Sequence, residues 1–139
     1  MAIARNENQI LWGAANSEIL DTANSWALES DVNTQSATAV NATIQLKANQ
    51  TTGTPASGDI VTFYGKYSLG DPDGAGSDEY TTDEHDAVLA VFDLNSENPG
   101  QSAANITVPI KGLKIRAVGE GFATTDEVTI SATILELTA

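Results

Sequence analysis

Apolar residues along the chain recur with a period of two. Between Val40 and Ala48, the apolar Val40, Ala42, Ile44, Leu46 and Ala48 alternate with the polar Asn41, Thr43, Gln45 and Lys47, the pattern of a strand with one buried face. Ile106, Val108 and Ile110 alternate with Asn105, Thr107 and Pro109, and Leu113, Ile115 and Ala117 with Lys114 and Arg116. These predict either two strands or one strand bent at Lys111-Gly112. Val128, Ile130, Ala132 and Ile134 alternate with Thr129, Ser131 and Thr133, after which Leu135 and Leu137 move the apolar phase to odd positions. One extra residue exchanges the two faces of a strand, so the slip predicts a bulge near Ile134-Leu135.

Two runs, Ile60 to Tyr67 and Val88 to Leu94, are apolar at consecutive positions. They predict either central strands of a sandwich or strands covered by a neighbouring subunit. Turn-forming residues fill Asn49 to Asp59, Gly70 to Asp86, Asn95 to Ser102 and Gly119 to Thr125. Short strands separated by such segments predict an all-β fold, an antiparallel β-sandwich or jelly-roll-like barrel.

The first 35 residues break this rhythm and are set apart as an N-terminal arm or docking segment preceding a sandwich domain over 36–139. They hold both tryptophans, Trp12 and Trp26, among Asn, Ser, Ala and Glu. Two readings fit: a helix from Ser17 to Glu29, weakened by Asn24-Ser25, or an extended arm with strand pieces at Gln9 to Trp12 and Ser25 to Leu28. Either way the indoles need apolar cover, from the domain's own sheet or from a partner.

Composition narrows the function. The chain has 139 residues, 6 Lys+Arg against 19 Asp+Glu and a formal charge of −13. Nucleic-acid binding rests on cations that neutralise phosphates, so DNA and RNA are not expected partners. No apolar run approaches the roughly 20 residues that span a bilayer, and the opening residues turn polar at once, so synthesis in the cytoplasm without a membrane partner is expected. The absence of Cys excludes disulfides, thiolate metal sites and cysteine nucleophiles.

Chemistry concentrates in the acidic segment Gly70 to Asp86. Asp71, Asp73 and Gly76 match positions of a calcium loop, but Ala75 and Thr82 stand where two further ligands belong, so an EF-hand is rejected. A looser Ca²⁺ site from Asp71, Asp73, Asp78 and Glu79 is the alternative to a solvated excursion. The single histidine, His85, lies among Asp83, Glu84 and Asp86, which favour its protonated form and suit a general base poorly. The sequence has no G-x-S-x-G elbow, Walker loop, G-x-G-x-x-G or H-E-x-x-H, so no enzymatic activity is expected. Lys111, Lys114 and Arg116, gathered on one hairpin, form a basic group that serves either as internal ion-pair partners or as a docking patch for an acidic neighbour.

The order of these pieces resembles a known class. A polar segment carrying Trp12 and Trp26 leads into the alternating strand Val40 to Ala48. The run Gly53-Thr54-Pro55-Ala56-Ser57-Gly58-Asp59-Ile60-Val61-Thr62-Phe63-Tyr64 follows, then a Gly/Asp excursion to Tyr80, the return Leu89 to Leu94, a Thr-Val-Pro-Ile strand and a β-rich tail. This is similar to small β-sandwich proteins of tailed-bacteriophage virions, above all capsid decoration (cement) proteins.

The resemblance implies a non-enzymatic homo-oligomer, a trimer foremost, on the outer capsid surface, with the major capsid protein as partner. Ile10, Trp12 and Trp26 would anchor it, Lys111, Lys114 and Arg116 would orient it, and the acidic loop would face solvent. The arm of this chain is not Pro/Thr-rich, a departure from one common decoration-protein pattern. The alternative is a tail-tip or fibre module that binds host glycan, with Ca²⁺ held by Asp71, Asp73, Asp78 and Glu79.

Overall fold

The computed structural model describes residues 2–139 except 24, 34, 35, 37, 96–99 and 108–111, and describes 100–107 by their backbone. Ten strands follow in order: β1 (Ala4–Gln9), β2 (Glu18–Leu20), β3 (Ala27–Glu29), β4 (Ala39–Thr52), β5 (Ile60–Gly70), β6 (Glu79–Tyr80), β7 (Ala87–Asp93), β8 (Gly100–Thr107), β9 (Leu113–Glu120) and β10 (Glu127–Thr138). A 3-10 turn, Asp83–His85, precedes β7.

All pairings are antiparallel and form two sheets, as the alternation predicts. Sheet I runs β1-β10-β4-β8, with β2 on the remaining edge of β10. Sheet II runs β3-β9-β5, with β7 and β6 sharing the far edge of β5. The inner faces meet in one core. Sheet I supplies Ala42, Ile44, Leu46, Val128, Ile130 and Ile134, and sheet II supplies Val61, Phe63, Phe92, Leu113, Ile115 and Ala117. Phe63 and Phe92 meet edge to face at 5.6 Å between ring centroids. Such a pair adds about 0.5–1.5 kcal/mol to what burial alone contributes.

Four expectations change. The helix over Ser17 to Glu29 does not form; residues 18–20 and 27–29 pair with β10 and β9 instead. The N-terminal segment is thus woven into both sheets, and Ile10 and Trp12 join the core at 0% and 4% exposure. The bulge near Ile134-Leu135 is also absent, because the inward phase continues without a slip. Glu136 and Thr138 take the inner positions, Leu135 and Leu137 the outer ones, and the irregularities in the β4 pairing lie at Glu127/Val128 and Leu137/Thr138. A carboxylate holds a place that patterning reserves for an apolar side chain, and Glu136 Oε1 there accepts a hydrogen bond from the backbone N–H of Ser36 at 3.2 Å.

The third change concerns β8 and β9, which belong to different sheets. The basic residues of β9 therefore stand between β3 and β5, not in a hairpin with β8; Val108 to Lys111 lie outside the described residues. Finally, of the two runs apolar on both faces, β5 is central but β7 is an edge strand, with Val88 and Val91 exposed.

Two matching turns launch the long strands. Asp59 Oδ2 accepts from Ala56 N at 2.9 Å while Asp59 N donates to Ala56 O at 3.1 Å, immediately before β5. Asp126 and Ala123 repeat the arrangement at 2.8 and 3.0 Å, immediately before β10. Each Asp satisfies a backbone donor that the turn would leave unpaired, which makes both buried carboxylates tolerable. The turns are locked by Gly121, whose φ is +85° and where a Cβ would strike the carbonyl oxygen of Gly58.

Candidate functional site: the outer face of sheet II

The register of sheet II sets its outward side chains in rows. Val118, Thr62 and Val91 stand opposite one another, and so do Arg116, Tyr64 and Val88. Val88 and Val91 are 60% and 58% exposed, so the rows end in open apolar surface at the β7 edge.

The next row puts Lys66 directly opposite Lys114. Like charges at facing positions are destabilising, so both ammonium groups need carboxylates from outside the β5–β9 ladder. β3 brings Glu29 from one side, at 3.0 Å from Lys114 Nζ and 3.8 Å from Lys66 Nζ. The return that follows β6 brings Asp83 and Asp86 from the other, at 2.7 and 3.5 Å from Lys66. Asp86 Oδ2 also receives Arg116 Nε–H at 2.9 Å, and its Oδ1 receives Thr81 Oγ1–H at 3.0 Å. Its side chain is fully covered. Arg116 lies over the Tyr64 ring at 4.2 Å and Lys114 over Tyr80 at 4.9 Å, attractions to the negative faces of the rings. Three cations and three carboxylates from four elements thus form one charge-balanced cluster.

The cluster shifts its members' titration. Burial pulls the Lys66 ammonium down, but the hydrogen bond to Asp83 and the charges of Asp86, Asp83 and Glu29 outweigh it and raise its pKa above the usual 10.5. The hydrogen bond from Lys66 lowers Asp83 below the usual 3.8 against an opposing desolvation, with further help from the charges of Arg116 and Lys66. For Asp83 the stabilisation is complete well above pH 3.8 and is lost as pH falls through its lower folded value. For Lys66 it is complete well below pH 10.5 and is lost as pH rises through its higher folded value. Thermal melts across pH will therefore show a loss below pH 3.8 that Asp83→Asn reduces; an identical acid limb in that variant would exclude the Asp83 contact.

The structure separates the residues that the sequence singled out. Ile10 and Trp12 are enclosed in the chain's own core. Trp26 stacks on Phe122 at 4.8 Å between centroids and lies across Gly119, half-buried. Lys114 and Arg116 meet in the cluster as internal ion-pair partners, and Lys111 lies outside the described residues.

The four carboxylates considered for Ca²⁺ do not converge. Asp71 accepts from Gly76 N, Asp73 from Ala75 N and Asp78 from Ser68 Oγ, and among the described residues no three acidic or His side chains are grouped as metal ligands. His85 Nδ1 pairs with Thr82 Oγ1 at 3.0 Å within the 3-10 turn.

Sequence reasoning missed Lys66, Glu29 and Asp86. Lys66 was the available signal: a lone cation inside the apolar run Ile60 to Tyr67 needs carboxylates in space. No protein-family model matches this chain, and no curated protein sequence matches it.

Proposed function

We propose that this chain is a non-enzymatic structural protein of a tailed-phage virion. It decorates the outer surface of the mature head, bound to the major capsid protein as a homotrimer, after synthesis in the host cytoplasm. The observation that carries the reading is the pair of rows on the outer face of sheet II that end in exposed Val88 and Val91. Neighbouring exposed apolar side chains on a sheet edge are an adhesive feature, and their burial against a neighbour supplies affinity without any reaction.

This reading moves the anchors from Ile10 and Trp12, which face the core, to Val88, Val91 and Tyr64. Docking then rests on shape and apolar burial. Lys114 and Arg116 stiffen the docking face through their partners on β3 and the 81–86 return. Attachment of many copies stabilises the shell by mass action.

Electron microscopy of the encoding phage's heads, assembled with and without the protein, tests the proposal. Wild type is expected to add outer density to mature heads, and a Val88→Asp/Val91→Asp variant to lose it at an unchanged melting temperature, since both valines are exposed. Decoration by the double variant at wild-type occupancy, or wild-type protein found on tails only, would refute it.

A further inference from the structure

The sandwich has a second outer face, on sheet I, with different chemistry. β10 runs between β1 and β4 there, and over the register that joins residues 5–9, 41–49 and 129–137 the odd-numbered residues point outward. Gln9, Thr133 and Gln45 stand in one row and Glu7, Leu135 and Thr43 in the next. With Arg5 and Lys47 they line a trough of about 350 Å³, within the size range of small-molecule and oligosaccharide sites.

Its charge is the reverse of the rest of the molecule. In a chain with net charge −13, the trough holds two cations against one carboxylate. Arg5 is paired with Glu7 at 3.1 Å, whereas Lys47 makes no ion pair with any described residue. The other described cations, Lys66, Lys114 and Arg116, are held in the cluster on the opposite face. The walls carry exposed Gln9 and Gln45, whose amides both donate and accept, and the floor offers the Thr133 hydroxyl beside the half-buried aliphatic Leu135.

We propose that this trough binds an acidic oligosaccharide. A sugar ring presents hydroxyls that act in both hydrogen-bonding roles, which the Gln and Thr groups match, and a C–H face that lies on Leu135. A uronate carboxylate supplies Lys47 with the ion-pair partner that no described residue provides, as a charge-assisted hydrogen bond. The site lies opposite the face proposed for docking, so it stays open in the particle, and each reading stands or falls separately.

The test is an ¹H–¹⁵N NMR titration of the intact chain with alginate and hyaluronan oligosaccharides, with maltohexaose as the neutral control. The uronate probes are expected to shift the amides of residues 5–9, 43–47 and 131–135, and maltohexaose to leave them in place. Lys47→Glu should weaken binding roughly tenfold, the loss of one charge-assisted contact. Gln45→Ala should weaken it in the same direction, and both variants should melt with wild type, because both side chains are exposed. Trough amides that do not move, equal shifts with maltohexaose, or wild-type affinity in both variants would overturn the assignment.

Discussion

Truncation of Trp12 to alanine will lower the unfolding free energy by about 3–5 kcal/mol, a large part of the roughly 5–15 kcal/mol that holds a domain of this kind together. The side chain is 4% exposed inside the shared core, between segments that tie the two sheets. Ile10 N donates to Ala132 O of β10 at 2.9 Å, and Asp31 N donates to Leu11 O at 2.8 Å just after β3. Removing the indole leaves a cavity at this junction. The melting temperature should fall by roughly 10–15 °C, with a lower urea midpoint at unchanged slope. Trp12→Phe should be much milder. The indole Nε1–H has no acceptor among the described residues, and an orphaned buried donor costs about 1–3 kcal/mol that phenylalanine avoids. Trp26→Ala should also be milder, since that ring is only half-buried. Two Trp12 variants with wild-type midpoints would place the indole outside the core.

The second large effect is expected at Asp86. Asp86→Ala should destabilise the chain by about 3 kcal/mol, because it strips a fully covered carboxylate from two cations that are themselves largely enclosed. Lys66 keeps Asp83 and Glu29, but Arg116 loses its 2.9 Å partner and the Thr81 hydroxyl loses its acceptor. Asp86→Asn should retain part of the stability, since the amide oxygen still accepts while the charge is gone. Asp83→Ala is the internal control. Its carboxylate contacts the same Lys66 but is 68% exposed, so at neutral pH its removal should cost clearly less than that of Asp86, a loss equal to the part of the acid limb that Asp83 supplies. Urea melts of the three variants check the ranking, and an Asp83 effect equal to that of Asp86 would contradict the burial argument.

Much of the fold was legible because a half-buried strand writes its two faces into alternate residues. β4 and β9 lie where the alternation puts them, except that Val40, read as inward, is 58% exposed and Ala39 is buried in its place. The alternation misled at Glu136, where an inward carboxylate imitates a phase slip and takes a hydrogen bond from the Ser36 amide, a hundred positions away. It was silent over β2 and β3, three-residue strands too short to carry a period, which are fixed by pairing with β10 and β9. The candidate site was half legible. Lys114 and Arg116 stood out as a basic group in an acidic chain, yet their carboxylates come from Glu29 and from the 81–86 return, and no local spacing encodes those encounters. The acidic loop was the opposite case: its composition suggested cation chemistry, while Asp71 and Asp73 serve as turn-closing acceptors for their own backbone.

The pairing of β1 with β10 sets Ala4 beside Thr138, the two ends of the described fold lying on adjacent strands. A short Gly/Ser bridge between residues 2 and 139 would close the chain into a ring without disturbing either sheet. New ends could then be opened in the exposed Gly/Asp turn at 71–77, which links β5 to β6 and contributes no side chain to the core. A peptide joined beside Ala4 or beside Thr138 would leave from neighbouring strands of sheet I, so two different cargoes could be displayed side by side from one subunit.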